Sequence, residues 1–176
     1  MKEFIRHAAT LLGLTISISV AAAFFEEPQG YAHATLKGLK TIAVNIDPPR
    51  GSDYTAMSTY GVTSEKLQEM ISARLRDAGF KVINYPESLA DPEAVLLDLR
   101  VRVDIPWGSF YAFDLKLSVN QKLPLAQGGA GSFYSVRTWS DRQIGALQMV
   151  GPGLYPLYGY SMQLVENFIK DHQAQN

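Results

Sequence analysis

The sequence predicts an α+β fold, a two-layer sandwich in which a mixed, mostly antiparallel sheet carries two helices on one face, in the order βαβββα or βαββββα. Three observations lead there. A strand–helix–strand unit opens the folded region, "LKGLKTIAVNID" to "FKVINY". Two long segments then alternate apolar and charged residues strictly, and a second amphipathic helical pattern closes the chain. Strands with one charged face leave only the other face for helices to cover.

The chain begins with "MKEFIR", a short basic start, followed by the apolar run "AATLLGLTISISVAAAFF". Ala21 and Ala23 form the small-x-small pattern that a signal peptidase reads, so residues 1–23 are expected to be a signal peptide cleaved after Ala23. The alternative is an uncleaved membrane anchor, since the run from Ala8 to Phe25 is nearly long enough to span a bilayer. The expected location is periplasmic or secreted, with anchoring by the uncleaved leader as the alternative. Residues 24–35, containing "EEPQGYAHAT", have no hydrophobic period and read as a flexible lead-in. A single α+β domain is expected over residues 36–173.

Within that domain, Ile42, Val44 and Ile46 alternate with Ala43 and Asn45 as a half-buried strand. "PPRGSDYTAMSTYG" is long for a connection inside one domain, and such segments tend to carry function. In "VTSEKLQEMISARLRDAG", Leu67, Met70, Ile71, Leu75 and Ala78 fall on one helical face. Thr63 or Ser64 caps its start and Gly79 its end. "FKVINY" follows as a strand parallel to the first, through a crossover helix. "PESLADPE" reads as a loop.

In "LLDLRVRVDIPWGSFYAFDLKLSV", Leu97, Leu99, Val101, Val103 and Ile105 alternate with Asp98, Arg100, Arg102 and Asp104. Beyond "PWG", Tyr111, Phe113, Leu115, Leu117 and Val119 alternate with polar or small residues. A three-residue turn of Pro106, Trp107 and Gly108 predicts Ile105 opposite Ser109, Arg100 opposite Asp114 and Asp98 opposite Lys116. "QGGAGSF" resembles a phosphate loop only superficially, because it lacks the Gly-Lys-Ser/Thr ending and no helix follows; a hairpin turn fits it better. "SFYSVRTWS" is a further strand, with Trp139 beneath the sheet edge. In "YSMQLVENFIKDHQAQN", Met162, Leu164, Val165, Phe168 and Ile169 form the last helix, with Ser161 as its cap. "GPGLYPLYGY" before it reads as a turn whose tyrosines pack on a sheet edge.

Composition narrows function mainly by exclusion. The chain has 176 residues, of which 47% are hydrophobic, enough for a core without covalent staples. Its 16 basic and 17 acidic residues are interspersed, which gives no basic stripe for nucleic acid. It contains no cysteine, so thiolate chemistry, iron–sulfur clusters and cysteine zinc sites are excluded. His7, His33 and His172 lie far apart in sequence, without metal-ligand or triad spacing. Asp98, Asp104 and Asp114 belong to the outer sheet face and Glu65, Glu69 and Asp77 to a solvated helix face. Neither set has a reason to shift its pKa for acid–base work.

The stretches "LKGLKTIAVNI", "GVTSEKLQEMISARLRDAGFKV", "LLDLRV", "YAFDLKLSVNQ", "TWS" and "VENFIKDHQAQN" together resemble an uncharacterised family of secreted single-domain bacterial proteins. The element order is also similar to small envelope auxiliary domains, such as those of lipopolysaccharide-assembly lipoproteins and transporter auxiliary components, although this chain lacks their lipidated cysteine. The resemblance carries no activity with it. The expectation is a non-enzymatic periplasmic binding or envelope-assembly accessory, with no cofactor and no metal, whose partner is a protein of the cell envelope. The alternative is a small-ligand or lipid-binding protein with a pocket lined by Met70, Leu75, Phe113 and Leu117. Tyr54, Met57, Tyr60, Trp107, Tyr155 and Tyr158 form the expected partner surface, because they are aromatic or apolar residues of segments without a core period.

Overall fold

A computed structural model of the chain describes residues 36–47, 61–107, 110–124, 133–148 and 155–176. The predicted leader, the lead-in and the loop residues 48–60 lie outside the described residues. The elements are β1 (Thr41–Asp47), α1 (Ser64–Asp77), β2 (Lys81–Ile83), α2 (Tyr85–Ala90), β3 (Val95–Trp107), β4 (Phe110–Pro124), β5 (Phe133–Gln148) and α3 (Pro156–Gln173). The strands form one sheet in the order β2-β1-β3-β4-β5. β1 pairs in parallel with β2 and β3, and the remaining pairs are antiparallel. The fold is α+β, as predicted.

The inward face follows the apolar alternation. Ile42, Val44 and Ile46 of β1, Leu97 to Val103 at odd positions of β3, and Tyr111 to Val119 at odd positions of β4 join one core with Leu67, Ile71 and Leu75 of α1 and Leu164, Val165 and Phe168 of α3. α1 is capped as its sequence predicts. The Thr63 hydroxyl accepts from the Lys66 N–H at 3.2 Å. At the other end Gly79 takes φ +92°. Its N–H donates to Arg76 O, while the Phe80 N–H reaches back to Leu75 O at 3.0 Å. Only a residue without Cβ adopts that left-handed turn cheaply, and the turn swings Phe80 into the core.

Four expectations need correction. The 85–90 stretch is a short helix rather than a loop, so the described residues form three helices. Six residues carry too little periodicity to show a helix, and this one is held by contacts beyond its own span. Lys122 Nζ donates to the carbonyls of Ser88 and Asp91, and α2 packs against β1 and β3. Ala43, on the face of β1 opposite Ile42 and Val44, is fully buried as well, so that face is not open throughout.

The β3–β4 register is offset by two residues from the predicted one. Trp107 pairs with Phe110, so β3 runs through Pro106 and Trp107, and a bulge between Asp104 and Trp107 sets the register of the rest of the pair. Arg100 consequently stands opposite Lys116, Asp98 opposite Ser118, and Asp114 opposite Arg102. A shift of two keeps every side chain on its face, so the hydrophobic pattern could not distinguish the registers. Arg100 and Asp114 still meet, diagonally, at 3.7 Å.

α3 starts at Pro156, not after Ser161. Proline suits the first helical position, where its missing N–H is not needed. The apolar spacing extends back through Ser161 to Leu157, both fully buried. Ser161 is therefore a core residue rather than a cap, and its hydroxyl is buried without a partner. The predicted turn "GPGLYPLYGY" accordingly becomes helix from Pro156 onward.

β5 extends to Gln148, well past the predicted Ser140, and contains a bulge. Val119 pairs with Trp139 but Asn120 pairs with Arg137, which makes Thr138 the extra residue. Trp139, predicted beneath the edge, is buried there. Its ring meets Phe168 edge-on and its Nε1 donates to Asp171 Oδ2 at 3.0 Å.

Candidate functional site at one end of the sheet

The strand directions bring the ends of several elements together at one end of the sheet. β1 and β3 run the same way and β4 opposes them, so the exit of β1, the β3–β4 turn and the exit of β5 share an end. α1 and α3 each begin just after those exits. Tyr54, Met57 and Tyr60 belong to the segment leaving β1 there and lie outside the described residues. Trp107 is the last residue of β3, in the strand rather than at a loop tip.

Tyr155 precedes Pro156 of α3 and is 62% exposed. Its hydroxyl lies 3.3 Å from where a side chain at Gly61 would begin. Gly61 takes φ +77°, so both its backbone and the nearby ring favour glycine there. Tyr158, one turn on, donates its hydroxyl to Gly61 O at 3.0 Å and accepts from the Thr63 N–H at 3.3 Å. Tyr158 thus ties the start of α3 to the residues that lead into α1, and it packs against the core.

Sequence reasoning missed Phe110. It is 54% exposed at the start of β4. Its neighbours in the alternation, "FYAF", fit a strand pattern so well that nothing marked its ring as uncovered. Tyr111 on the opposite face is buried, and burial raises its hydroxyl pKa above the ordinary tyrosine value.

Two of the chain segments that meet here carry no charged side chain. No Asp, Glu, Lys or Arg occurs from Gln143 to Val165, nor from Ile105 to Phe113. The segment 48–60 adds Arg50 and Asp53 alone. The described residues there offer the exposed rings of Phe110 and Tyr155, side chains of the kind that partner interfaces favour.

The titratable groups are elsewhere. Asp98, Asp104 and Asp114 occupy the outer sheet face, as predicted. Burial alone would raise the Asp114 pKa, but the Arg142 fork, with Arg100 and Arg102 nearby, brings it below the ordinary value. His172 lies at the opposite end, between Phe80 and Phe168, with Nε2 3.1 Å from Leu39 O. Among the described residues no three His, Cys, Asp or Glu side chains gather as a metal site. No described helix is long and apolar enough to cross a membrane.

No family model matches the chain, and no curated protein matches it. Among solved structures it is similar to the dodecamer of a PelC variant from Paraburkholderia phytofirmans, at 15% identity and a TM-score of 0.44, over 76% of this chain and 87% of that one. It is also similar to a minor lipoprotein from Acinetobacter baumannii, at 14% identity and a TM-score of 0.30, over 77% of this chain and 87% of that one.

Proposed function

We propose that the protein is a non-enzymatic binding or assembly accessory of the cell envelope, exported by its leader, which engages a protein partner through the aromatic end of the sheet. The observation that carries this reading is the exposure of Phe110 and Tyr155 at the end of the sheet where β1 and β5 exit and β3 gives way to β4. Partner hot spots favour such aromatic side chains, which contribute a large contact area at low entropic cost. The core supports a protein partner over a small-molecule pocket. Leu75 and Leu117 are fully buried, and Phe113 stacks on Tyr160 at a centroid distance of 5.0 Å.

Site-specific photocrosslinking in intact cells tests the reading. A photoreactive residue at Phe110 or Tyr155 is expected to give an adduct of one defined mass, and one at Glu69 on α1 none. Tyr54→Ser with Tyr60→Ser should abolish the adduct while leaving the melting temperature within about two degrees, as surface changes generally do. Equal adducts from Glu69, or loss of the adduct only in step with unfolding, would remove this end as the partner site. Mature protein beginning at Phe24 is expected on N-terminal sequencing, and Met1 on membrane-bound material would instead assign an anchor.

A further inference from the structure

A second surface lies on the face of the sheet turned away from α1 and α3, and it differs from the first in kind. The register sets Arg100, Lys116 and Arg142 directly abreast on β3, β4 and β5. With strands roughly 4.8 Å apart, the three form a cationic row about 10 Å long. Like charges directly opposite one another destabilise a sheet, so such a row calls for counter-charge.

The protein supplies that charge unevenly. Asp114, in the next rank, takes both bonds of the Arg142 fork, at 2.8 and 2.9 Å. The same carboxylate has Arg100 Nη2 at 3.7 Å and Arg102 directly opposite, so three arginines share it. Asp98, on the other side of the row, accepts a hydrogen bond from the Asn45 amide and stands opposite Ser118. Lys116 is only 8% exposed in the middle of the row. The Arg100 side chain is 34% exposed, yet its Nε is buried with no acceptor. A guanidinium donor left without an acceptor costs more than an ordinary missing hydrogen bond, and an incoming oxyanion could supply the lone pair.

The geometry points to a binding site for a phosphate-type oxyanion on the Arg100–Lys116–Arg142 row. Arg100 offers its unfilled Nε–H after a small side-chain rotation, and Arg142 is held in place by Asp114. The hydroxyls of Ser118 and Ser140 stand in the neighbouring rank, opposite each other. Planar guanidinium forks match phosphate oxygens in pairs, which a lone ammonium cannot do. The phosphate can come as the free ion or as a lipid headgroup, and these sources separate experimentally.

The test is an NMR titration of the arginine side-chain Nε–H resonances with inorganic phosphate at low ionic strength, with chloride at matched ionic strength as the control. The Arg100 signal is expected to shift saturably, with a Kd in the millimolar range or tighter, and chloride should not reproduce it. Arg100→Gln should weaken binding about tenfold or more, the loss of one charged hydrogen-bonding group, with an unchanged melting curve. Arg100→Lys, which keeps the charge and loses the fork, should show a loss too and serves if the glutamine variant fails to fold. Arg76→Gln on α1 should bind as the wild type does. Retention on phosphatidylglycerol vesicles but not phosphatidylcholine vesicles, abolished by Arg100→Gln, assigns the headgroup. Phosphate binding without vesicle retention assigns the free ion. No saturable shift, an equal response to chloride, or full binding by both Arg100 variants would reduce the row to a self-contained ion-pair network and overturn the proposal.

Discussion

The guanidinium of Arg74 forks onto the carboxylate of Glu166, Nε facing Oε1 and Nη2 facing Oε2, and so clips α1 to α3 across 92 positions of sequence. Each side chain keeps a good part of its surface in water. The fork therefore orients the two helices more than it stabilises them, because exposed pairs gain little in high dielectric.

Removing the clip should have a small effect that depends on pH. The hydrogen bonds from Arg74 hold the Glu166 carboxyl below its ordinary pKa. A depressed carboxylate contributes stability that is present above its unfolded pKa and is lost as pH falls through the folded value. Arg74→Ala should lower the melting temperature by roughly two degrees or less at pH 7, with the gap closing below about pH 4. Thermal melts of both proteins from neutral pH to pH 3 check this, and a gap that persists in acid would contradict it.

Gly145 is set by packing. A Cβ there would stand 2.7 Å from Cζ of Phe113, directly opposite on β4, and Phe113 is itself stacked on Tyr160. Gly145→Ala should destabilise by about 1–3 kcal/mol, as overpacking does. Phe113→Leu in the same chain should recover part of the loss, so that a double-mutant cycle in denaturant shows coupling. Additive effects would mean that the ring yields freely.

Val101 is 1% exposed and faces the helices from the middle strand of the sheet, opposite Leu115. Val101→Asp buries a charge without a partner, at a cost of several kcal/mol, comparable with the whole stability of a domain. It should abolish cooperative unfolding, whereas Arg102→Gln, one residue along on the exposed face, should melt close to the wild type. Circular dichroism melts compare them directly.

His172 is lowered in pKa by burial, an effect that the Leu39 carbonyl partly offsets. The folded state therefore resists the second proton more than the unfolded chain does. Stability should be full above about pH 6.5 and decline as pH falls from there toward the folded value. His172→Gln should flatten that part of the pH profile, read as the denaturant midpoint at pH 7.5 and 5.5. An unchanged slope would place the titration elsewhere.

The fold class, the helix-facing positions of β3 and β4 and both caps of α1 were determined by the sequence itself, because each rests on a local period or a single local group. Leu97 to Val103 must face one way whatever pairs with them, and Thr63 and Gly79 act within one helical turn. Tertiary structure decided what local pattern leaves degenerate. The β3–β4 register could shift by two because both registers bury the same residues, and the pairs Arg100–Asp114 and Asp98–Lys116 gave way to a β3 that runs on through a bulge to Trp107. α2 formed because Lys122 and the sheet stabilise six residues that could not hold a helix alone, and Ser161 entered the core because α3 began at Pro156. The candidate sites divide in the same way: Tyr155 stood out by composition, but the exposure of Phe110 and the cationic row at Arg100, Lys116 and Arg142 exist only once strands distant in sequence are set side by side.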